Sequence, residues 1–485
     1  MFSYATPSVF RSDLQQASLG LSCDQHRPVA LQARVKSNIP LLRFALRCLG
    51  QLIGSSDDDS LRVLDPIITA HPDRLILEAF SSDLAAYGRL SLPTDTLDIQ
   101  GTPQWGTSNI DFTSWLWGAV GEMRSSRETW LRLGSAGFEI ETLGAGGRFE
   151  PKVDPPISWY RAFLELQGAM MRPCTRLQVA AVDLLAPVRY LRYSKARMSP
   201  RALRYEAAEG GWKIVLEPWE EAFDLRLPTP ETRSLRTWGR QRLRLIEPLL
   251  PFAVGVEIRL LGRAMPHFYE LQLPGMTFLL GLTGWGRQSF AAEAGYSLWR
   301  GLSQPVDEDL LETRHQELSH LWTAPRQPLD EELVRRGLAL WDPECRVIRY
   351  RPLTQKPLDL AKVYPPDTRL ERALQLQAQV DHCQLQEMRK VKRLPTPQGP
   401  VQRELIFRDW KIAGTCQDLA LEMVVSEREQ ILFGRCPCAF FQAHLLQRGP
   451  CEHLLALFEA SRELRLPLPT SQPVVGREEL PADEE

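Results

Sequence analysis

The sequence predicts an α+β multidomain protein, with a mixed strand and helix N-terminal half, a helical middle and a small ββα finger at the C-terminus. Three observations carry this reading. Strand-like and helix-like segments follow one another without regular alternation, which argues against a doubly wound sheet. At 485 residues the chain is too long for one hydrophobic core. Three of its nine cysteines and two of its eight histidines fall within "RCPCAFFQAHLLQRGPCEHLLAL", Arg435 to Leu457.

Composition narrows the class. Hydrophobic residues at 44% and charged residues at 24% describe an ordinary soluble globular chain. A net charge of −2 gives no bulk attraction for nucleic acid. The start, "MFSYATPSVFRSDLQQ", shows no basic region followed by an apolar core, so no signal peptide is expected. No run of about eighteen apolar residues occurs, which argues against a membrane span. The odd number of cysteines, irregularly spaced, is unlike a disulfide framework. A reduced, cytoplasmic protein follows, with Cys23, Cys48, Cys174, Cys345, Cys383 and Cys416 read as small buried hydrophobes or inert thiols.

Residues 1–170 read as an α+β domain. "RLILEAF" and "YGRLSL" are strands, "FTSWLWGAVGEMR" a helix, and "TWLRLG", "FEIETL" and "RFEPKV" further strands. "ISWYRAFLELQGAMM" closes the unit as a helix with Trp159, Phe163, Leu164 and Leu166 on its apolar side. Residues 171–287 read as a second α+β unit, separate or part of the first. It holds a helix at "VDLLAPVRYLRY", strands "RALRYEA" and "WKIVLEP", a helix "SLRTWGRQRLRLIEPLLPFA", and strands "VGVEIRLLG", "HFYELQLPG" and "TFLLGLTG". Over 288–355, three helices ("FAAEAGYSLWRGL", "DEDLLETRHQELSHLW", "LDEELVRRGL") precede a hairpin turning at Asp342-Pro343-Glu344, the outline of a winged helix. Residues 356–400 read as one long helix and a Pro/Gly-rich linker, 401–466 as the finger, and 467–485 as a disordered acidic tail.

The cysteine-rich stretch reads as a metal site. Cys436-Pro437-Cys438 and Cys451-Glu452-His453 are two C-x-[CH] pairs separated by twelve residues. Together they supply the four ligands of a closed tetrahedral structural zinc site, one Zn2+ per chain. The first pair falls where a strand ends; the second follows Gly449-Pro450, a plausible helix entry. In the first turn the positive end of the helix dipole favours a thiolate. His444 lies mid-spacer without a paired partner and is read as a spectator.

The pattern C-x-C-x(n)-C-x-H, with a strand before and a helix after, resembles the SWIM-type zinc finger, and all four family ligand positions are filled. Looser likeness to a bacterial SWIM zinc-finger family rests on "LEAFSSDLAAYGRLSL", "GTSNIDF", "PISWYRAFLELQ" and "RGLALWDPECRVIRYRPL". The resemblance implies a finger that binds DNA or protein, and a gene neighbourhood with a MoxR-type AAA+ ATPase and a von Willebrand A-domain protein. It implies no reaction.

No enzyme signature was found in the rest of the chain. His315 and His320 are five apart, whereas a zincin helix needs four. "GLTGWGRQSF" lacks the Lys-Ser/Thr of a phosphate loop, and "GAGGR" reads as a turn. Asn109 and Asp111 fit an Asx turn and a helix cap. Residues 401–465 hold eight Lys/Arg and nine Asp/Glu, so the finger has no cationic surplus for phosphates. A non-enzymatic, protein-binding adaptor is therefore the expectation. The alternative is a nucleic-acid-binding factor. It would use Arg435 and Arg448 beside the metal and a helix face of Arg236, Arg240 and Arg244 with Arg233 nearby. The run Arg389-Lys390-Val391-Lys392-Arg393 is read as cations suiting a helix C-terminus.

Overall fold

The computed structural model describes residues 3–36, 38–54, 65–111, 114–134, 155–196, 201–208, 211–229, 233–262, 265–283, 289–291, 299, 306–365, 368–396, 399–426, 429, 431–446 and 449–465. The chain divides into two compact units. One is Met1–Pro366 with Lys390–Phe407; the other is Asp367–Arg389 with Arg408–Glu485. Mixed α and β structure runs through the chain in several sheets, and the described helices include short ones in the second unit.

The first unit is organised by an eight-stranded sheet, in the order Thr175–Val179, Gly255–Leu260, His267–Leu273, Met276–Leu282, Ala86–Pro93, Arg74–Phe80, Ile67–Ala70, Gly106–Asn109. All its pairings are antiparallel. Its inner strands are buried along nearly their whole length because both faces are covered, and charged residues such as Glu78, Arg89 and Glu270 are buried with them, while the edge strand Thr175–Val179 alternates. Gly88 faces helix Ile39–Ile53, where an added Cβ would lie 2.8 Å from Leu49 Cδ2. Gly281 lies on the other side, its Cβ position 3.6 Å from Leu166 of helix Ile157–Met171. Two apolar cores result, one on each face.

A five-stranded sheet (Val9–Ser12, Gln16–Ser22, Glu128–Gly134, Ala30–Val35, Leu97–Gln104) and a four-stranded one (Glu221–Asp224, Gly211–Leu216, Leu203–Ala208, Arg233–Thr237) share the first core. Further along come helix Glu308–Leu321, helix Asp330–Arg335 and a three-stranded sheet of Thr323–Pro325, Val347–Tyr350 and Ala339–Asp342. The expected hairpin is present, pairing Asp342 with Val347. Carboxylates of the short helix face inward: Arg314 holds Asp330 at 2.8 Å, and Arg336 holds Glu332 at 2.9 Å.

Two expected helices are corrected. "SLRTWGRQRLRLIEPLLPFA" is a strand to Thr237, then 3-10 turns at Arg240–Ile246 and Leu250–Phe252. Gly239 takes a left-handed φ of 85°, and Pro248 and Pro251 cannot donate helical hydrogen bonds. The long helix starting at Thr368 ends at Leu376, and Val380–Thr396 is a strand. Burial alternates with period two, Cys383, Leu385 and Glu387 being half-buried and Gln384 and Gln386 exposed. The dipole account of the basic run Arg389–Arg393 therefore falls, since that run lies in a strand.

In the second unit, Trp410–Cys416 pairs with Leu419–Val425, which pairs with Ile431–Arg435. Helix Thr368–Leu376 packs with helix Glu452–Ala460. Most of the expected helix at 290–302, "GAGGR", the strands "FEIETL" and "RFEPKV", the linker tip at 397–398, Arg448 and the tail 466–485 lie outside the described residues.

Candidate metal centre

Cys436 is the residue after the edge strand Ile431–Arg435. The chain then turns at Pro437, and Cys438 caps a short helix, Ala439–His444, its sulfur accepting the Phe441 N–H at 3.4 Å. This helix was not expected from the sequence, where the spacer had no assigned structure. The Cys438 N–H donates to Cys436 Sγ at 3.4 Å, so the pair is tied through its own backbone. Cys451 caps helix Glu452–Ala460, and His453 sits in its first turn.

Folding gathers these four. The ligand atoms of Cys436, Cys438, Cys451 and His453 all lie within 4.8 Å of one another. In a tetrahedral zinc centre, bonds of about 2.3 Å separate the sulfurs by roughly 3.8 Å, so little contraction is needed. Cys436 and Cys451 are buried and His453 is 8% exposed. His453 Nδ1 is buried with no hydrogen-bond partner among the described residues. A buried polar atom left unpaired is costly, and a metal would satisfy it.

The thiol electrostatics fit a cation. A hydrogen bond from Cys451, helped by the Cys438 N–H, pushes the Cys436 thiol down to about 6, while its burial opposes this. Cys451 is pushed up, first because it donates to Cys436 and then by burial; burial raises Cys438. Three thiols this close share one easily lost proton; a metal displaces the others. Sulfur and imidazole donors in a set of four match zinc rather than the oxygen-seeking magnesium or calcium.

His444 stands outside this group, its ring 5.0 Å from Phe440. Around the centre, Gln442 donates to Cys436 O at 3.0 Å, and Arg369 lies over Phe440 and donates to Pro450 O. Gly434 allows the sheet to approach the helix: a Cβ there would sit 2.8 Å from Leu454 Cδ1.

The remaining sequence-derived candidates do not converge. Arg435 is exposed beside Cys436. Arg236, in a strand, pairs with Glu217, its Nε 3.1 Å from Oε2. Arg240 is buried against the Trp219 ring, 4.8 Å from its centroid, and donates to Ala202 O. Arg244 is exposed and donates to Gln241 O at 3.0 Å. These three share no helix face. Arg233 lies in the strand Arg233–Thr237. Asn109 accepts from Arg27, and Asp111 accepts the Ser8 N–H at 2.9 Å, so both are taken up by the fold. His315 and His320 lie on helix Glu308–Leu321, His320 bonding Gln316 O at 2.7 Å. No described helix is long and apolar enough to cross a membrane.

No family model matches the chain, and no curated protein matches it. Solved structures do. One of the C-terminal region of FEN-1 bound to A. fulgidus PCNA is 12% identical with a TM-score of 0.36, covering 52% of this chain and 97% of that one. One of PCNA from Thermococcus kodakaraensis is 12% identical with a TM-score of 0.35, covering 52% of this chain and 99% of that one.

Proposed function

We propose that the protein is a non-enzymatic adaptor whose C-terminal unit is a SWIM-type finger held by one structural zinc. The observation that carries this is the four-donor cluster of Cys436, Cys438, Cys451 and His453. Four protein ligands leave no open coordination position for water, which a catalytic zinc requires. The metal supplies folding energy that a small unit cannot draw from its core, roughly 10–16 kcal/mol for structural zinc peptides. Residues 288–355 are read as a winged-helix-like module used for packing rather than groove reading, since its third helix begins with Asp330, Glu331 and Glu332. Partners are proteins, by family resemblance a MoxR-type AAA+ ATPase and a von Willebrand A-domain protein, in a bacterial cytoplasm.

The scattered positions of Arg236, Arg240 and Arg244 weaken the nucleic-acid alternative, as does the finger's net charge of about −1 over 401–465. The test is titration of the zinc-loaded chain with a labelled duplex. The adaptor reading expects no salt-dependent shift at submicromolar protein. A shift abolished by Arg435→Glu with Arg244→Glu would favour the alternative.

A further inference from the structure

The first unit carries a cationic surface that the net charge of the chain conceals. Helix Ile39–Ile53, helix Ala181–Tyr193 and the 3-10 segment from Gly239 to Val254 hold seven arginines against two carboxylates, Asp183 and Glu247, in a chain of net charge −2. The fold brings these elements together. The inner sides of both helices, Leu42 and Leu46 in one and Leu184 and Val188 in the other, belong to a single core. Arg240–Ile246 packs against both helices. Phe252 stacks on Phe44 of the first helix, centroids 5.8 Å apart, and Glu247 pairs with Arg192 of the second at 3.1 Å. The outer sides of the three elements therefore adjoin.

Much of the charge there is uncompensated. Asp183 is taken by Arg226, Glu247 by Arg192, and Arg242 pairs with Asp83. Arg43, Arg47, Arg189 and Arg244 have no carboxylate partner among the described residues. Arg47, Arg189 and Arg244 are exposed. Arg43 is held in place, its guanidinium 5.1 Å from the Phe44 ring and donating to Met123 O at 3.0 Å. Like charges gathered on one surface repel one another, and an anion of matching shape relieves that repulsion.

Apolar side chains are interleaved with the arginines. Val182, Ala186, Arg189 and Tyr193 recur at spacings of four, three and four, so they share one helix face. All four are exposed, Val182 by 59% and Tyr193 by 79%, and Phe252 is 44% exposed. This interleaving selects the class of partner. A phosphate backbone would pair with the arginines and leave Val182 and Phe252 in water. A protein segment with carboxylates between apolar side chains satisfies both. Arginines and aromatic rings are also the types that carry binding energy at protein interfaces.

We propose that this surface docks an acidic, amphipathic segment of a partner protein. Its carboxylates pair with Arg43, Arg47, Arg189 and Arg244, and its apolar side chains cover Val182 and Phe252. The inference deepens the adaptor reading and rests on it for the partner being a protein.

Fluorescence anisotropy of the zinc-loaded full chain tests it with labelled probes: a synthetic peptide repeating Glu-Asp-Phe-Leu, its Gln-Asn-Phe-Leu counterpart, poly-glutamate of equal charge, and a DNA duplex. The acidic repeat should bind, and the uncharged repeat and poly-glutamate should each bind more weakly by about tenfold or more. Arg47→Glu with Arg189→Glu should weaken the acidic repeat by about tenfold or more, at an unchanged melting temperature because both side chains are exposed. Phe252→Ala should weaken the acidic repeat and leave poly-glutamate unaffected. An acidic repeat that does not bind, or that binds the charge-reversed chain equally, overturns the proposal. So does poly-glutamate binding as tightly as the repeat. The duplex separates the failures. An unbound repeat with an unshifted duplex sinks this surface alone, whereas a salt-dependent duplex shift lost in the charge-reversed chain sinks the adaptor reading with it.

Discussion

Cys436 follows the last strand of the C-terminal sheet and Cys451 caps the helix that packs on it, and their ligand sulfurs lie within 4.8 Å of each other. Fifteen positions of chain, including the short helix Ala439–His444, separate the two thiols, and the fold brings them together with Cys438 and His453 into a set that could hold a metal ion.

Cys451→Ala should lose the metal and expose the C-terminal unit. Limited proteolysis should then cut within 431–460 at protease levels that leave the parent intact. The first unit, with its own two cores, should stay resistant. Equal resistance of both units would argue against a structural metal.

Gly434→Val should damage the same unit by overpacking rather than by loss of a ligand. A Cβ at this position meets Leu454 at 2.8 Å and Leu446 and Phe441 at 3.4 Å. The expected destabilisation is about 1–3 kcal/mol. It should show in chelator competition as weaker zinc retention with all four ligands present.

Asp342 is a separate test in the first unit. Burial alone would raise its carboxyl, but Arg89, Arg349 and Arg74 outweigh it and hold it at about 2. Arg349 Nε lies 2.6 Å away and Arg89 Nη2 3.3 Å, both nearly fully buried. Asp342→Asn leaves these guanidiniums short of charge and should destabilise by about 3–5 kcal/mol in urea unfolding. Because the folded pKa is depressed, the pair's contribution is complete above about pH 4 and lost as pH falls towards 2. A midpoint unchanged by the substitution would show that the network is not stabilising.

His267 sets a second pH dependence. It is fully buried, and desolvation pushes its imidazole down to about 3. Above its ordinary value of 6.5 the ring is neutral in both states and the linkage is silent. As pH falls from there towards 3, only the unfolded chain takes the proton, and stability drops by about 1.4 kcal/mol per unit. His267→Leu should flatten the unfolding free energy between pH 6.5 and 4.5; an unchanged slope would contradict the burial argument.

The clustering of Cys436, Cys438, Cys451 and His453 was legible in sequence because metal-type sites are written in spacing, here as two C-x-[CH] pairs at element boundaries. Helix Ile157–Met171 and the strands Arg74–Phe80, Ala86–Pro93 and Met276–Leu282 were legible through apolar runs of the right length. What misled was recurrence without packing. Arg236, Arg240 and Arg244 repeat every fourth residue, yet Gly239 breaks the helix that would align them and buried partners claim the first two. Residues beyond Leu376 are rich in helix formers, and tertiary pairing overrode that preference. Helix Ala439–His444 was too short to show a period, its one signal being Cys438 as a cap.

Metal analysis of the purified chain by plasma mass spectrometry tests the central claim most directly. The account predicts one zinc per chain, lost in Cys436→Ser and in His453→Ala. Protein that holds no metal, and whose C-terminal unit resists protease equally with and without chelator, would contradict it.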